Sequence, residues 1–315
     1  MYVFIARRLL LAIPTLLIIS LFVFSLQKLL PGDPVLVMAG EERDPALLEL
    51  LREKYHLNDP IPMQYAAWIG NAVQGDLGIS LRTNQPVVDL IAEKLPVTLQ
   101  LALMSMSFAL LIGIPLGVLA AVKKNTFLDY LTSVLALSGL SVPNFWLGIM
   151  LILLVSVKLG WLPASGYQPF FVDPLLSLKT MLMPSFVLGN ALAASMMRHT
   201  RSAMIGVLSS DYVRTARAKG LSERAVILSH GFRNAVLPIV TLSALLFGEL
   251  LAGAVLTEQI FTIPGFGKLI VDAVFTRDYA VVQGVVLCTA IGFIGMNLLA
   301  DVLYVVLNPR MRASM

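Results

Sequence analysis

Few residues in this 315-residue chain have the types and spacing that covalent chemistry needs. The histidines His56, His199 and His230 are scattered, and Cys288 is the single cysteine. No HExxH, CxxC or Cys/His cluster sets metal ligands at a usable spacing, and one cysteine cannot form an internal disulfide. There is no GxxxxGK[ST] loop to cradle a nucleotide, no GxSxG elbow, and no carboxylate pair on a recognisable catalytic frame. An enzyme reading therefore has no residues to rest on. What stands out is charge in apolar surroundings: Glu249, Asp301, and the stretch SSDYVRTARAKGLSERAVILSHGFRNAVLP at 209–238. Such groups suit binding and coupling rather than bond making.

The elements that must position them follow from composition. Hydrophobic residues make up 57% of the chain and charged ones 13%, about half the charge of an ordinary soluble domain. The apolar residues come in blocks of about 20, the length a helix needs to cross a bilayer. Six such blocks are read, Leu9–Leu30, Val97–Val122, Leu131–Val157, Met181–Met197, Ala235–Leu256 and Ala280–Leu307. They do not alternate polar with apolar, which excludes a membrane barrel. The fold class expected is an all-α polytopic membrane protein with six transmembrane helices, a small helical extracytoplasmic insertion and a cytoplasmic loop. Residues 1–30 form the N-terminus and first span, 31–96 the insertion, and 97–315 a five-helix core that includes the loop 198–234.

Charge distribution sets the expected sides. Arg7 and Arg8, Lys123 and Lys124, the seven basic residues Arg198 to Arg233, and Arg310 and Arg312 fall in alternate loops. Residues 31–95 carry ten acids against five bases. By the positive-inside rule both termini face the cytoplasm, and the insertion faces outward. The net charge of +4 thus reflects topology rather than nucleic acid. Within the insertion, Asp44-Pro45 and Asp59-Pro60 read as helix starts, Gly75–Ser80 as a turn, and NQPVVDLIAEKL as a short helix leading into the second span.

Glycine and proline punctuate the spans. Gly113 and Gly117 flank Pro115 at a spacing that admits a close helix neighbour and a kink. Ser141, Pro143 and Asn144 lie inside the third span, and Pro184 opens the fourth. Broken helices at membrane depth are tolerated where they face protein or a watery cavity, though such residues are also simply common in membrane helices. Ser141, Asn144 and Glu249 are the candidate pathway residues. Glu249 reads as mid-span, where it could line an aqueous path or hydrogen-bond a neighbouring helix. Asp301, near Arg310 and Arg312, reads as a structural ion pair.

The stretch 209–238 reads as helix, break, helix. Ser210 is a candidate N-cap, Asp211 and Lys219 match the helix dipole, and Gly220 supplies a left-handed terminator. Leu221 and Ser222 open the next helix, which re-enters the membrane near Pro238. Tyr212 and Ala216 fall on one face, a small side suited to another protein's groove. A loop that obeys the positive-inside rule and touches anionic lipid is the competing reading.

Residue order adds to this. Arg214-Thr215-Ala216 with Gly220 resembles the signature loop of ABC importer permeases, at the positions of that family's Glu-Ala-Ala and glycine. Leu237-Pro238 comes later than in the general pattern. The later spacing matches a narrower branch, the first membrane subunit of dipeptide, oligopeptide, glutathione and nickel importers, which the chain resembles along nearly its whole length. The marks include RRLLLAIPTLL, PGDP, QYAAWIGNAVQGDLGIS, PLGVLAAVKKN, SVPNFWLGIMLILLVSV, DYVRTARAKGL, LLAGAVLTEQIFTIPGFGKLIVDAVFTRDY and NPRMR. Ala280 departs from the proline usual there.

The resemblance implies half of a translocation pore in a bacterial or archaeal plasma membrane, paired with a second six-helix permease. Two cytoplasmic ATPases would bind ATP and magnesium, this chain holding no cofactor or metal, and an extracytoplasmic binding protein would deliver a peptide. Glutathione or nickel are the alternative cargoes, and a gradient-driven secondary transporter is the alternative class. The implied ATPase-coupling residues are Asp211, Tyr212, Arg214, Thr215, Ala216, Arg217, Lys219, Gly220 and Leu221.

Overall fold

The computed structural model describes residues 2–29, 35, 44–54 and 57–307. Among the described residues there is no strand beyond one isolated Ile79–Pro86 bridge. The helices, in chain order, are α1 (Tyr2–Leu29), α2 (Pro45–Lys54), α3 (Ile61–Val73), α4 (Val87–Val122), α5 (Phe127–Ser141) and α6 (Asn144–Leu151), which runs on into a π-helical stretch, Ile152–Lys158. Then come α7 (Pro174–Leu208), α8 (Asp211–Ala218) and α9 (Glu223–Ala225), followed by a second π-helical stretch, Val226–Phe232. The chain finishes with α10 (Arg233–Gly253), α11 (Val255–Ile260), α12 (Phe266–Thr276) and α13 (Tyr279–Leu307).

Among the described residues, five helical segments are long and apolar enough to cross a bilayer: those within α1, α4, α7, α9–α10 and α13. The pair formed by α5 and Asn144–Lys158, bent by 95° at Val142-Pro143, is long and apolar enough to make a sixth when taken as one broken span. The all-α polytopic reading holds, and six spans result when the third is broken where proline removes a backbone donor.

The core is the crossing of α4 on α7. A Cβ added at Gly113 would sit 2.7 Å from Ala193 O, one at Gly117 2.7 Å from Met197 O, and one at Gly189 2.9 Å from Ser105 O. The two backbones are thus in contact, which only small residues allow. Leu101, Met181, Met196 and Ile239 pack around this crossing with less than 2% exposure. At one end of it Asp129 of α5, 3% exposed, accepts from Arg201 Nε at 2.6 Å and Nη2 at 2.9 Å and ties the third span to α7.

Helix α1 lies against α13 and α3. Its Ser20 hydroxyl meets the Tyr65 hydroxyl at 2.8 Å, and Phe24 stacks edge-on against Tyr65 at 5.5 Å. Asp301 of α13 forms its ion pair with Arg8 of α1 at 3.1 Å, 293 positions away in the chain. Arg310 and Arg312, the partners expected for it, lie outside the described residues, as do the PGDP and NPRMR segments.

Three boundaries differ from expectation. Helix α4 runs unbroken from Val87, so the last helix of the insertion and the second span are one element. Helix α7 starts ten residues before Pro184, because Asp173 caps it by accepting from Leu176 N–H at 3.0 Å. Helix α10 ends at Gly253, one turn beyond Glu249. Glu249 therefore sits near the end of its helix.

Candidate functional site

The segment between α7 and α10 is built as a clasp. Ser210 stands at the N-cap of α8 in extended conformation, but its hydroxyl donates to Val207 O at 2.6 Å instead of capping. The helix ends at Gly220 with φ +79°. Gly220 N–H donates to Arg217 O at 2.9 Å and Leu221 N–H to Ala216 O at 3.4 Å, the paired bonds of a Schellman termination. The Arg217 guanidinium then reaches across the turn to the Glu223 carboxylate at 2.8 and 3.3 Å. Ser222 caps the next helix by accepting from Ala225 N–H.

Two further contacts fasten α8 to the re-entering helix. The Tyr212 hydroxyl donates to His230 O at 3.3 Å and accepts from Asn234 Nδ2 at 3.0 Å. Val213 and Ala216 are buried against Val226, Val207 and Leu208. Ala216 thus faces inward, unlike the reading that set it beside Tyr212 on the presented face. The reason is size: an eight-residue helix with two small apolar side chains must spend both on its own protein to stay seated.

The face left outward carries Arg214, Thr215, Lys219 and Leu221, with Asp211 and the edge of Tyr212 beside them. Asp211 and Arg214 form only an exposed pair at 3.4 Å. Among the described residues Arg198, Lys219, Arg224 and Arg233 have no salt bridge. The surface is cationic, part aromatic and backed by a rigid clasp, which suits binding a partner and transmitting force rather than chemistry.

The three pathway candidates are not joined to one another. Ser141 and Asn144 flank the bend of the third span, beside an open apolar hollow of about 600 Å³ lined by Val134, Leu137, Trp146 and neighbours. The Ser141 hydroxyl donates back to Leu137 O at 2.8 Å. Glu249 is exposed on α10, in line with Leu245 and Pro238. Among the described residues no hydrogen bond or ion pair links Glu249 to the other two.

Beyond α10 the chain holds two buried carboxylates that sequence reasoning passed over. Glu258 of α11 is fully buried and bound by Thr98 of α4, and burial pushes its carboxyl above the usual range, against the hydrogen bonds that lower it. Asp278, 3% exposed, accepts from the Ser80 hydroxyl at 2.5 Å and so ties the start of α13 to the turn before α4. The signal available was an acid within the otherwise apolar stretch AVLTEQIFTIPG, too far in sequence from any partner to assign.

Comparison with known proteins covers nearly the whole chain. Residues 113–313 match the family described as the binding-protein-dependent transport system inner membrane component, and residues 1–102 match its N-terminal counterpart. A glutathione transport system permease protein, GsiC, of Escherichia coli O6:H1 is 46% identical over 309 residues, 98% of each chain. A Brucella abortus protein named for peptide transport is 42% identical over 308 residues, again 98% of each. Among solved structures, the inward-facing MetNI methionine ABC transporter has a chain that aligns with TM-score 0.56 and 16% identity, covering 70% of this chain and 96% of that one. That last likeness speaks to the fold.

Proposed function

The chain belongs to the family of binding-protein-dependent transport system inner membrane components and is a permease subunit of an ABC importer, and we propose that it forms one half of a pore through which a short peptide enters the cell. The other half is a second six-helix permease. Two ATPases on the cytoplasmic side bind ATP and magnesium and supply the work, and a binding protein delivers the cargo on the other side. Both termini and the 198–234 loop face the cytoplasm. Glutathione, itself a tripeptide, falls within the cargo class, in keeping with the names of the two relatives.

The observation that carries this reading is the clasped helix α8. Its outward face is charged and solvent-exposed while its inward face is locked to α7 and the re-entering helix. A loop needed only for membrane topology has no use for a Schellman end, a bidentate staple and a tyrosine clasp. Asp211, Tyr212, Arg214, Thr215, Arg217, Lys219 and Leu221 form or frame the ATPase contact, with Ala216 and Gly220 holding the helix in place. ATP binding and cargo delivery each favour one of two conformers, which suffices to drive alternation without covalent chemistry in this chain. Ser141, Asn144 and Glu249 are assigned to the pathway.

The test is affinity purification of the chain from its native membrane, with identification of what remains bound, followed by uptake in vesicles. Recovery of a second permease and a P-loop ATPase, with uptake driven by ATP, is expected. Recovery of the chain alone, moving solute on a proton gradient without ATP, would overturn the reading.

A further inference from the structure

Helix α12 starts after Gly265, which has no side chain to cap the free N–H groups of its first turn. The caps come from elsewhere. Thr98 Oγ, on α4, accepts from Phe266 N–H at 2.8 Å. Glu258 Oε2, on α11, accepts from Lys268 N–H at 2.8 Å. The two caps are themselves joined, because the Thr98 hydroxyl donates to Glu258 Oε1 at 2.6 Å. Three elements therefore meet at one carboxylate with no exposed surface.

The surroundings are fitted to that carboxylate. A Cβ at Gly265 would lie 2.4 Å from Glu258 Cδ, and one at Gly267 would lie 2.7 Å from the backbone of Val255. Thr262, in the turn between α11 and α12, is held at φ +53°, a strained setting for a β-branched residue. Among the described residues no cation pairs with Glu258, and the Lys268 ammonium is engaged with Asp272 at 3.5 Å. Burying a carboxylate without a counter-ion is costly, and an ordinary Ser or Asp cap would hold α12 without that cost.

The position of the cluster explains why the cost is kept. Helix α11 follows α10 directly, with only Ala254 between them. The other end of α10 is the one that Tyr212 and Asn234 bind to α8. Helix α10 is thus a rod of 21 residues, about 30 Å long, with α8 clasped at one end and the Glu258 cluster at the other.

We propose that Glu258 is a positioning residue for transport: through Thr98 and the first turn of α12 it makes the far end of α10, α12 and the second span move as one body. This rests on the importer reading. Displacement of α8 by the ATPases then reaches the outer mouth of the pathway through a hydrogen-bonded joint rather than through loose loops. Asp278 and Ser80 hold the other end of α12 to the turn before the same span.

The test uses the whole importer, with both permeases, ATPases and binding protein, reconstituted in vesicles. Solute uptake and ATP hydrolysis are measured per assembled complex. Thr98→Val keeps shape but removes both hydrogen bonds, and uptake per ATP hydrolysed is expected to fall about tenfold, the scale of one lost charge-assisted bond. Thr98→Ser keeps the hydroxyl and is expected to restore near wild-type coupling. Glu258→Gln, which can still accept from Lys268 N–H, should lie between. If Thr98→Val lowers only the amount of assembled complex while uptake per ATP stays unchanged, the residue is merely structural and the proposal is wrong. If Thr98→Ser uncouples as fully as Thr98→Val, the hydroxyl is not the joint, and the proposal fails as well. Failure of the wild-type complex to take up solute on ATP would instead remove the importer reading itself.

Discussion

Replacing Gly220 with alanine isolates the effect of one backbone angle on coupling. Gly220 has φ +79°, and an added Cβ would meet no atom within 4 Å, so the substitution brings strain without a clash. An L-residue in that region is disfavoured by about 1–2 kcal/mol. What holds α8 against this is modest. The Arg217–Glu223 pair is 43% and 62% exposed on its two sides and contributes at most about 1 kcal/mol after solvent screening. Val213 and Ala216 add only a small apolar contact. A loss of about 1 kcal/mol lowers the seated fraction of α8 relative to the unseated one roughly fivefold. Amide exchange of residues 211–221 in the assembled importer should rise by that factor, and ATP-driven uptake should fall with it. Gly220→Asn is the control, because asparagine enters the left-handed region with less strain and should retain most of the function. Wild-type exchange in Gly220→Ala, or equal losses with Ala and Asn, would refute the reasoning.

Other substitutions test the frame that carries α8. Ala216→Arg must drive a charge into the contact with Val226 and Leu208; α8 should become unseated and uptake abolished, while the amount of protein in the membrane stays near normal. Asp129→Ala leaves Arg201 unpaired; because that arginine is one-third exposed, the cost is about 2–3 kcal/mol, below that of a fully buried pair. Thermal unfolding in lipid nanodiscs should show it, with the Asp129→Asn/Arg201→Gln pair losing less than the sum of its members. Gly117→Val places branched carbons where a single Cβ already stands 2.7 Å from Met197 O, so overpacking of about 1–3 kcal/mol should lower the unfolding temperature. An unchanged transition in that variant would mean that α4 and α7 do not cross as described.

Local signals and long-range pairings were unequally legible. The spans follow from apolar block length, a property of consecutive residues, and their cores were readable, though several helices extend about three turns beyond them. So were Asp44, whose carboxylate accepts from Ala46 N–H at 2.9 Å, and Gly220. The inward face of α8 was not readable, because Val213 finds Val226 only after the Gly220 turn folds back. The same limit hid Arg8 as the partner of Asp301, and Thr98 as the partner of Glu258 across 160 positions. Glu249 was misplaced for another reason. The polar residues from Glu223 to Asn234 break the apolar pattern without breaking the helix, which passes through a π-helical stretch there. Hydropathy therefore placed the start of that helix at Ala235 rather than Glu223.

The most direct measurement places a photo-crosslinking residue at one position of α8 at a time, in the assembled importer. Strong crosslinks to the ATPase are expected from positions 214, 215 and 219, which face outward, and none from 213 and 216, which are buried against the protein itself. Crosslinks only to lipid from the outward positions, or ATPase crosslinks from 213 and 216 instead, would contradict the coupling role of α8.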